Sequence, residues 1–301
     1  MITSVNIAGV AFKNPIIAAS GTFGFGKEYA NFYDIDLLGG ICTKGITLEA
    51  RQGNPAPRIA ETHAGILNSV GLQNPGVEGF IQEDIPFLET LDTVVIANVA
   101  GSTEEDYIKT VQRISSTSVQ MIELNISCPN VKAGGMAFGV LPSSVEKITA
   151  AVKKVCTQPL IVKLSPNVAN IADNARAAQN GGADALSLIN TVSGMAIDYK
   201  TRRPVLANVY GGLSGPAVKP IALKMVHTAY RAVKIPIIGI GGITTAEDVL
   251  EFMIAGARAV QIGSANLFNP LAANLLVTQL SNLMTTCKIN NINECVGSLN
   301  Y

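Results

Sequence analysis

The sequence of 301 residues predicts an α/β fold, a single (β/α)8 barrel of the TIM type with long loop insertions at the carboxyl face of its strands. Eight short apolar runs recur along the chain, and amphipathic or small-residue segments long enough for a helix separate them. No change in composition marks a domain boundary. Because strands that alternate with helices form parallel sheets, we expect residues 1–301 to form one closed barrel domain.

Each apolar run ends on a small or polar residue, where a buried strand would leave the core. In chain order the runs are NPIIAAS ending at Ser20, GGICTK ending at Lys44, TVVIAN ending at Asn98, MIELN ending at Asn125, LIVK ending at Lys163, ALSLIN ending at Asn190, IPIIGIGG ending at Gly242 and AVQIG ending at Gly263. The active site of a barrel is built from these carboxyl ends and the loops after them. The candidate functional residues should therefore share one face.

Two intervening helices are readily predicted. SSVEKITAAVKKVC starts with serines suited to capping and repeats apolar residues at helical spacing. TTAEDVLEFMIAGA shows the same pattern after Thr244 or Thr245 and should end at Gly256. Both are expected in the outer ring of the barrel.

Two insertions are unusually long. One covers residues 45–80 and the other residues 191–217, and both are rich in turn-forming residues. Loops of this length in a compact domain are more often functional than idle.

Composition excludes several classes of function. Lys and Arg together number 22, as do Asp and Glu, so the net charge is zero and no basic stripe favours nucleic acid. No stretch approaches the roughly 20 apolar residues of a membrane span, and the first residues lack the pattern of a signal peptide. The sequence thus predicts a soluble cytoplasmic protein that binds neither nucleic acid nor membrane.

Cysteine usage argues against a disulfide framework or a metal centre. The five cysteines, at positions 42, 128, 156, 287 and 295, are far apart and form no CxxC pair. No zinc or iron–sulfur site held by this chain alone is expected.

Two lysines stand out among the predicted strand ends. Lys44 and Lys163 close otherwise apolar strands, and a lysine in such a place must be paired or functional. Carboxamides and a hydroxyl end other strands, at Asn98, Asn125 and Ser20. For any one of these positions, the alternative is that a polar residue merely marks the exit from the core.

The last two strand ends predict a phosphate site. Gly241 and Gly242 let backbone amides approach a ligand closely, as does the turn at Gly263–Ser264. The helix that starts near Thr244 would present its N-terminus to the same anion. Glycine-rich turns alone are a weak signal, but a site after strands 7 and 8 is common in barrels. A phosphorylated substrate and a phosphorylated cofactor both fit this pattern.

Cys128 is the best candidate for a general base. It follows the fourth strand end by three residues in the turn NISCPN, and a free thiol has a pKa of about 8.5, near enough to neutrality to exchange a proton. The alternative, a small buried apolar side chain, is expected for the other four cysteines. The two histidines, His63 and His227, are expected to be surface or packing residues.

At these residues the sequence resembles the class 1 dihydroorotate dehydrogenases. The motifs that carry the resemblance span nearly the whole chain and are ASGTFG, CTKGIT, LNSVGLQNPG, ANVAGS, LNISCPNVKAGG, VKLSPN, INT, GGLSGPA, GIGGI and IGSAN. The resemblance implies an FMN-binding barrel that oxidises (S)-dihydroorotate to orotate in pyrimidine (UMP) biosynthesis.

Within that family, the loop NVKAGGMAFG is most similar to class 1B, the NAD-linked branch. Membership of this branch implies a partner subunit that carries FAD and a [2Fe–2S] cluster and passes electrons to NAD+. It also implies a homodimer core within a heterotetramer. The lack of a cluster-binding cysteine pattern in this chain agrees with that division of labour.

The resemblance also assigns roles to residues. Cys128 would remove the C5 proton of dihydroorotate while hydride passes from C6 to flavin N5, with Lys163 near the flavin N1/O2 edge and Lys44 serving both flavin and substrate. The implied substrate-binding residues are Lys44, Asn68, Ser69, Val70, Gly71, Leu72, Asn125, Asn130, Asn190 and Thr191. The implied FMN-binding residues are Ser20, Lys44, Gly45, Asn98, Asn125, Lys163, Ile189, Gly215, Gly241, Gly242, Gly263 and Ser264.

Two alternatives remain on the sequence. One is a class 1A-like homodimer that passes electrons to fumarate. The other is a non-redox barrel lyase or isomerase acting on a phosphorylated substrate, which explains the phosphate site and the lysines but gives the asparagines around Cys128 no task.

Overall fold

The structure is a computed structural model and describes residues 1–127 and 138–301. Its strands, in chain order, are β1 (Val5–Ile7), β2 (Val10–Phe12), β3 (Ile16–Ala18), β4 (Gly40–Cys42), β5 (Ile59–Thr62), β6 (Gly65–Asn68), β7 (Val94–Val99), β8 (Met121–Asn125), β9 (Leu160–Lys163), β10 (Ala185–Leu188), β11 (Val192–Met195), β12 (Ile197–Asp198), β13 (Arg203–Pro204), β14 (Tyr210–Ser214), β15 (Ile237–Ile240) and β16 (Ala259–Ile262).

Helices alternate with the barrel strands over most of the chain. They are α1 (Gly76–Gly79), α2 (Ile85–Leu88), α3 (Glu104–Ile114), α4 (Pro142–Lys153), α5 (Ile171–Asn180), α6 (Lys219–Tyr230), α7 (Ala246–Ile254), α8 (Ala265–Phe268) and α9 (Ala272–Thr286). A π-helical turn at Phe80–Asp84 joins α1 to α2.

Eight parallel strands close into a barrel in the order β3, β4, β7, β8, β9, β10, β15 and β16, with β16 pairing back to β3. These are the eight predicted runs, so the predicted (β/α)8 barrel is confirmed. Neighbours in the chain are neighbours in the barrel, and their carboxyl ends meet at one face, here called the barrel mouth.

The connection after the first barrel strand departs from the regular pattern. No α-helix lies between β3 and β4, and single 3-10 turns at Tyr29–Asn31 and Ile35–Leu37 take its place. The N-terminal hairpin β1–β2 lies near the start of β4, where a Cβ on Gly40 would come within 3.0 Å of the Phe12 ring. The aromatic ring of Phe12 therefore occupies space that the glycine leaves open.

The two long insertions combine into one antiparallel sheet, the insertion sheet, with strand order β11–β14–β6–β5. Strands β5 and β6 come from the insertion after β4, and β11 and β14 come from the insertion after β10. The contact between them is the β6–β14 pair, in which Asn68 faces Gly212. The sequence predicted two long functional loops, and the structure adds that they form one element.

Helix capping agrees with the sequence at one helix and differs at another. Thr245 caps α7 in a reciprocal capping box with Asp248, and the chain leaves the helix at Gly256 with a φ of 119°. In α4 the predicted serine cap is wrong, because the N-cap residue is Leu141 and Pro142 takes the first helical position. A proline there needs no N–H and already has helical φ, which moves the start of the helix ahead of the serines.

The space between the barrel strands and the surrounding helices is filled with apolar side chains. Side chains from the strands and from the inward faces of the helices form one large buried cluster. No helix in the described ranges is long and apolar enough to span a bilayer.

Capping supplies a test of the fold. Thr103 caps α3 in a second capping box, accepting the Asp106 N–H at 3.1 Å. Thr103→Ala should lower the free energy of unfolding by about 1 kcal/mol, the usual cost of losing an N-cap, as measured by urea denaturation. Ser143→Ala is the matched control and should change it by less than about 0.5 kcal/mol, because the structure gives Ser143 no capping role. Equal losses in both variants would contradict the assignment.

Candidate active site

Lys163 lies buried at the end of β9 and is paired. Its Nζ is 3.1 Å from Ser20 Oγ at the end of the first barrel strand and 3.4 Å from Glu123 Oε1 inside the barrel. Only 5% of Lys163 is exposed, so the ammonium is held in place by its partners rather than by water. The barrel thus brings together two predicted flavin-binding residues that are 143 positions apart.

Glu123 is the centre of a layer of buried polar side chains inside the barrel, here called the polar layer. It was not among the candidate residues predicted from the sequence. It is fully buried on β8 and accepts hydrogen bonds from side chains of five other barrel strands. The donors are Cys42 Sγ (3.3 Å), Asn98 Nδ2 (2.6 Å), Lys163 Nζ (3.4 Å), Ser187 Oγ (2.7 Å) and Gln261 Nε2 (2.7 Å). Burial by itself would raise the pKa of Glu123, but Lys163 and the hydrogen bonds outweigh it and hold the pKa below its usual range.

The other four cysteines are expected to be small buried apolar side chains. Cys42 is fully buried, and burial, followed by the nearby Glu123 carboxylate, raises its pKa well above the usual value. Burial also raises the pKa of Cys156 to about 11. Cys295 is buried as expected, but Cys287 is exposed, so the prediction of a buried side chain is wrong there. Cys287 directly follows α9, where the helix ends and its last turn faces outward.

Lys44 has a different environment from Lys163. It is partly buried, and within residues 1–127 and 138–301 no hydrogen bond or ion pair is found for its Nζ. Burial, and secondarily the charge of Arg58, lower the pKa of Lys44. A lysine that ends an apolar strand is expected to be either paired or functional. Because Lys44 is unpaired among the described residues, the structure favours a functional role for it.

Two buried carboxamide oxygens beside Glu123 lack partners. Asn98 Oδ1 and Gln261 Oε1 are both inaccessible to solvent, and neither accepts a hydrogen bond from the described residues. A Cβ on Gly45 would lie 3.0 Å from Asn98 Oδ1, so a side chain at this position would crowd that oxygen. Because buried polar atoms are rarely left unpaired, a ligand with N–H or O–H donors fits this position.

The predicted phosphate site presents free backbone donors. In the part of the chain that the structure describes, the N–H groups of Gly241, Gly242, Gly263 and Ser264 make no hydrogen bond. A Cβ on Gly242 would lie 2.7 Å from Gly215 O, and one on Gly241 would lie 3.4 Å from Ile189 Cγ1. The predicted flavin residues at positions 189, 215, 241 and 242 are therefore neighbours, and the amide donors suit a phosphate.

The N-terminus of α7, the second element of the predicted phosphate site, is capped by its own aspartate. Asp248 Oδ2 accepts the N–H groups of Thr244 at 2.8 Å and Thr245 at 2.9 Å, and Lys219 pairs with the same carboxylate. The capping box thus satisfies the amides of Thr244 and Thr245. In the described part of the chain, the N–H groups of Ala246 and Glu247 make no hydrogen bond, as on the glycine turns.

The predicted substrate residues at the ends of β8 and β10 form one cluster. Asn125 Oδ1 accepts the Ser127 hydroxyl at 2.8 Å and Asn190 Nδ2 at 3.4 Å, and Asn190 also donates to Ser127. Thr191 N–H donates to Asn190 Oδ1 at 2.8 Å. Ser127 was not selected from the sequence, although it lies within the NISCPN motif.

The segment after β6 presents a second group of free amides. Asn68 Nδ2 donates to Gly212 O at 3.4 Å, and Ser69 Oγ is buried without a partner among the described residues. Within that part of the chain, the N–H groups of Val70, Gly71 and Leu72 make no hydrogen bond. Gly71 and Leu72 have φ values of 80° and 57°, so successive amides can turn toward one side. These donors suit a carboxylate.

The candidate base and one candidate substrate residue, Cys128 and Asn130, lie outside the described residues. Of the histidines, His63 is exposed in the β5–β6 turn, and His227 on α6 is 3.3 Å from Ala255 O. The prediction that they are surface and packing residues is confirmed.

A cavity of about 460 Å³ adjoins the glycine turns. Its lining includes Gly65, Pro216, Thr244, Ser264 and Phe268, so it lies between the insertion sheet and α8. Of the predicted flavin residues, only Ser264 lines it. The polar layer around Glu123 lies deeper in the barrel, and the hydrogen bonds there define the site better than the shape of this cavity does.

A closed barrel with a buried ammonium, free glycine-turn amides and clustered carboxamides at its mouth has the architecture of a barrel enzyme. The residues present fit FMN, because orphaned acceptors and amide donors occur where a ring and a phosphate would need them. The chain belongs to the dihydroorotate dehydrogenase family, whose model matches residues 2–284.

Curated relatives and a solved structure agree with this assignment. A relative from Alkaliphilus oremlandii is 56% identical over 98% of both chains, and one from Bacillus pumilus is 53% identical over 98% of this chain and 95% of its own length. One from Caldicellulosiruptor saccharolyticus is 54% identical over 100% of both. All three are named "Dihydroorotate dehydrogenase B (NAD(+)), catalytic subunit".

The names confirm the family and the NAD-linked branch that the sequence predicted. A crystal structure of DHODH from Eimeria tenella in complex with ferulenol has a TM-score of 0.81 and is 24% identical, covering 98% of this chain and 88% of that chain. At this identity the likeness concerns the fold alone.

Lys44 supplies a test of the site. Lys44→Met should raise the free energy of unfolding of the ligand-free protein by about 1 kcal/mol, because it removes a partly buried and unpaired charge beside Arg58. Urea denaturation without ligand measures the change. Lys27→Met is the matched control and should bring no gain, since Lys27 Nζ lies 2.8 Å from an Asp84 oxygen. A loss of stability on replacing Lys44 would contradict the unpaired state.

Proposed function

We propose that residues 1–301 form one FMN-binding domain that oxidises (S)-dihydroorotate to orotate in pyrimidine (UMP) biosynthesis. The observation that carries the proposal is identity of more than half the residues, over nearly the full length, to catalytic subunits named for this reaction. The free donors and acceptors at the barrel mouth support it, because they match the groups of a flavin nucleotide and a carboxylated ring. Membership of this family argues against a non-redox lyase or isomerase.

FMN would be held along a line of residues from the polar layer to the glycine turns. Lys163 and Asn98 would bind the ring, with Ser20, Lys44, Gly45, Asn125 and Ile189 around it. Gly241, Gly242, Gly263 and Ser264 would bind the phosphate through backbone amides, with Gly215 beside Gly242. When bound, FMN supplies the acceptor for the hydride that leaves C6 of dihydroorotate.

The substrate would bind under the insertion sheet. Asn68, Asn125, Asn130 and Asn190, with Thr191, offer the donors and acceptors that a pyrimidine ring requires. The amides of Val70, Gly71 and Leu72, with the Ser69 hydroxyl, would receive the carboxylate, whose charge Lys44 would balance. Because Asn125 ends a barrel strand and Asn68 ends a strand of the insertion sheet, they would orient C5 and C6 of the ring before reaction.

Cys128 would act as the base. The C5 proton is acidified by the adjacent carbonyl, so a thiolate at Cys128 takes it while the C6 hydride departs, and the new C5–C6 double bond completes orotate. Lys163 and Lys44 would stabilise the negative charge that develops in the mouth. The buried thiol of Cys42, whose pKa is raised, is not suited to this task.

Electrons would leave through a partner. The names of the relatives describe a catalytic subunit, and we propose that this chain forms a homodimer core in a cytoplasmic heterotetramer. The partner subunit would carry FAD and a [2Fe–2S] cluster and reduce NAD+. Fumarate would then not be the acceptor.

The purified chain should show the visible spectrum of bound flavin and be bleached by dihydroorotate under anaerobic conditions. The chain alone should turn over neither fumarate nor NAD+ efficiently, whereas co-expression with an FAD/iron–sulfur partner should give NAD+ reduction. A chain that neither binds nor can be loaded with flavin contradicts the dehydrogenase assignment. Efficient fumarate reduction by the chain alone contradicts only the NAD-linked branch.

Cys128→Ala should retain FMN but slow flavin reduction by dihydroorotate by roughly two to four orders of magnitude, the range for losing a general base. Anaerobic stopped-flow absorbance measures the rate. Cys287→Ala is the control, because it removes an exposed thiol after α9 and should leave the rate unchanged. Unaltered kinetics in Cys128→Ala would refute the role of the thiol.

A further inference from the structure

We propose that Glu123 is a positioning residue for the flavin. Its carboxylate holds the Lys163 ammonium and turns the Asn98 amide so that a cation and a free carbonyl oxygen face the cofactor. The inference rests on the proposed function, since it assigns a task to a buried residue that the substrate and cofactor contacts leave out.

The hydrogen bonds at Glu123 fix which end of each neighbour points inward. Donors from five side chains converge on its two oxygens, and Lys163 brings the charge that an ionised carboxylate balances. An ionised carboxylate only accepts hydrogen bonds. Asn98 must therefore turn its NH2 group to Glu123, and so must Gln261.

The consequence is two carbonyl oxygens pointing away from Glu123. Asn98 Oδ1 and Gln261 Oε1 are buried, and no described residue donates to them. A side chain in place of Gly45 would come within 3.0 Å of the first of these oxygens. The imide N–H of a flavin ring and the hydroxyls of its ribityl chain are donors of the kind that such oxygens need. If Glu123 were neutral, or if the Asn98 and Gln261 amides were reversed, their NH2 groups would point away from Glu123 instead.

The same carboxylate fixes the position of the Lys163 ammonium in a site with little water. Lys163 is 5% exposed, and Glu123 Oε1 at 3.4 Å is its anionic partner in the described part of the chain. Removing one member of a buried ion pair leaves the other without its partner. Glu123 thereby determines where the Lys163 side chain lies relative to the flavin.

The competing explanation is that Glu123 only ties strands together. A purely structural residue would affect stability without a specific effect on the charge near the flavin. Ser187 separates the two explanations, because it donates to Glu123 Oε2 at 2.7 Å from the same buried layer but is not predicted to touch flavin. Loss of Ser187 removes a strand-to-strand bond and leaves the bonds to Lys163 and Asn98 in place.

The test compares Glu123→Gln with Ser187→Ala in the full chain. Two dissociation constants are measured. The Kd for FMN is obtained by titrating flavin-free protein with FMN. The Kd for sulfite reports on charge near the flavin, because sulfite adds to flavin N5 and binds more tightly when a cation lies near N1. Glu123→Gln should weaken both by at least about tenfold. Ser187→Ala should leave both within about threefold of the parent protein.

Several outcomes overturn the inference. Equal losses in the two variants would mean a structural role, and unchanged or tighter sulfite binding in Glu123→Gln would mean that Lys163 keeps its position without Glu123. If the parent chain binds no FMN, the proposed function fails as well. If it binds FMN and Glu123→Gln matches it, only the role of Glu123 fails.

A second comparison remains decisive if Glu123→Gln does not fold. Replacing both members of a buried ion pair is better tolerated than replacing one. The sulfite Kd of Glu123→Gln/Lys163→Met should equal that of Lys163→Met within about threefold, because Glu123 acts on the flavin charge through Lys163. A further tenfold loss in the double variant would contradict this.

Discussion

Closure of the barrel is the constraint on which the rest of the structure depends. Each of the eight strands needs a hydrogen-bonded neighbour on both sides, and only a closed parallel sheet provides one for all of them. Closure also forces eight carboxyl ends onto one rim. Residues as distant in sequence as Ser20 and Lys163 then lie within 3.1 Å, so the fold itself assembles the site.

The barrel interior combines an apolar wall with one polar layer that is costly to bury. Transfer of Glu123 from water into a fully buried position is unfavourable unless its oxygens find donors, and five side chains supply them. Among the described residues, the layer is satisfied on the side of Glu123 but leaves two amide oxygens unpaired on the other. Burying an acceptor without a donor is costly, so this layer carries a cost that its own described side chains do not offset.

The predictable parts of the molecule are those with local signals. Runs such as LIVK and MIELN identified the barrel strands because parallel strands buried on both faces are continuously apolar. Glu123 was overlooked within such a run, although its place two residues before Asn125 puts both on the same face of β8. The serine cap of α4 failed because Pro142 takes the first helical position, which places the N-cap at Leu141, two positions before Ser143.

The unpredictable parts depend on pairing at long range. Strands β5, β6, β11 and β14 carry no recognisable alternation, because many of their residues are glycines or polar groups that only the finished sheet satisfies. The direction of each amide around Glu123 likewise follows from the assembled layer rather than from any one strand. Sequence patterns reveal that these residues are present but not which atoms they expose.

The insertion sheet has a consequence for the order in which the molecule assembles. Asn68 and Gly212 meet across 144 residues of chain, and most of that chain is the barrel. Closure of the barrel already brings these distant segments close together, so little further chain entropy is lost when they pair. The insertion sheet should therefore form after the barrel and unfold before it. The insertion sheet would then be the least stable layer of the protein, able to open while the polar layer around Glu123 stays intact.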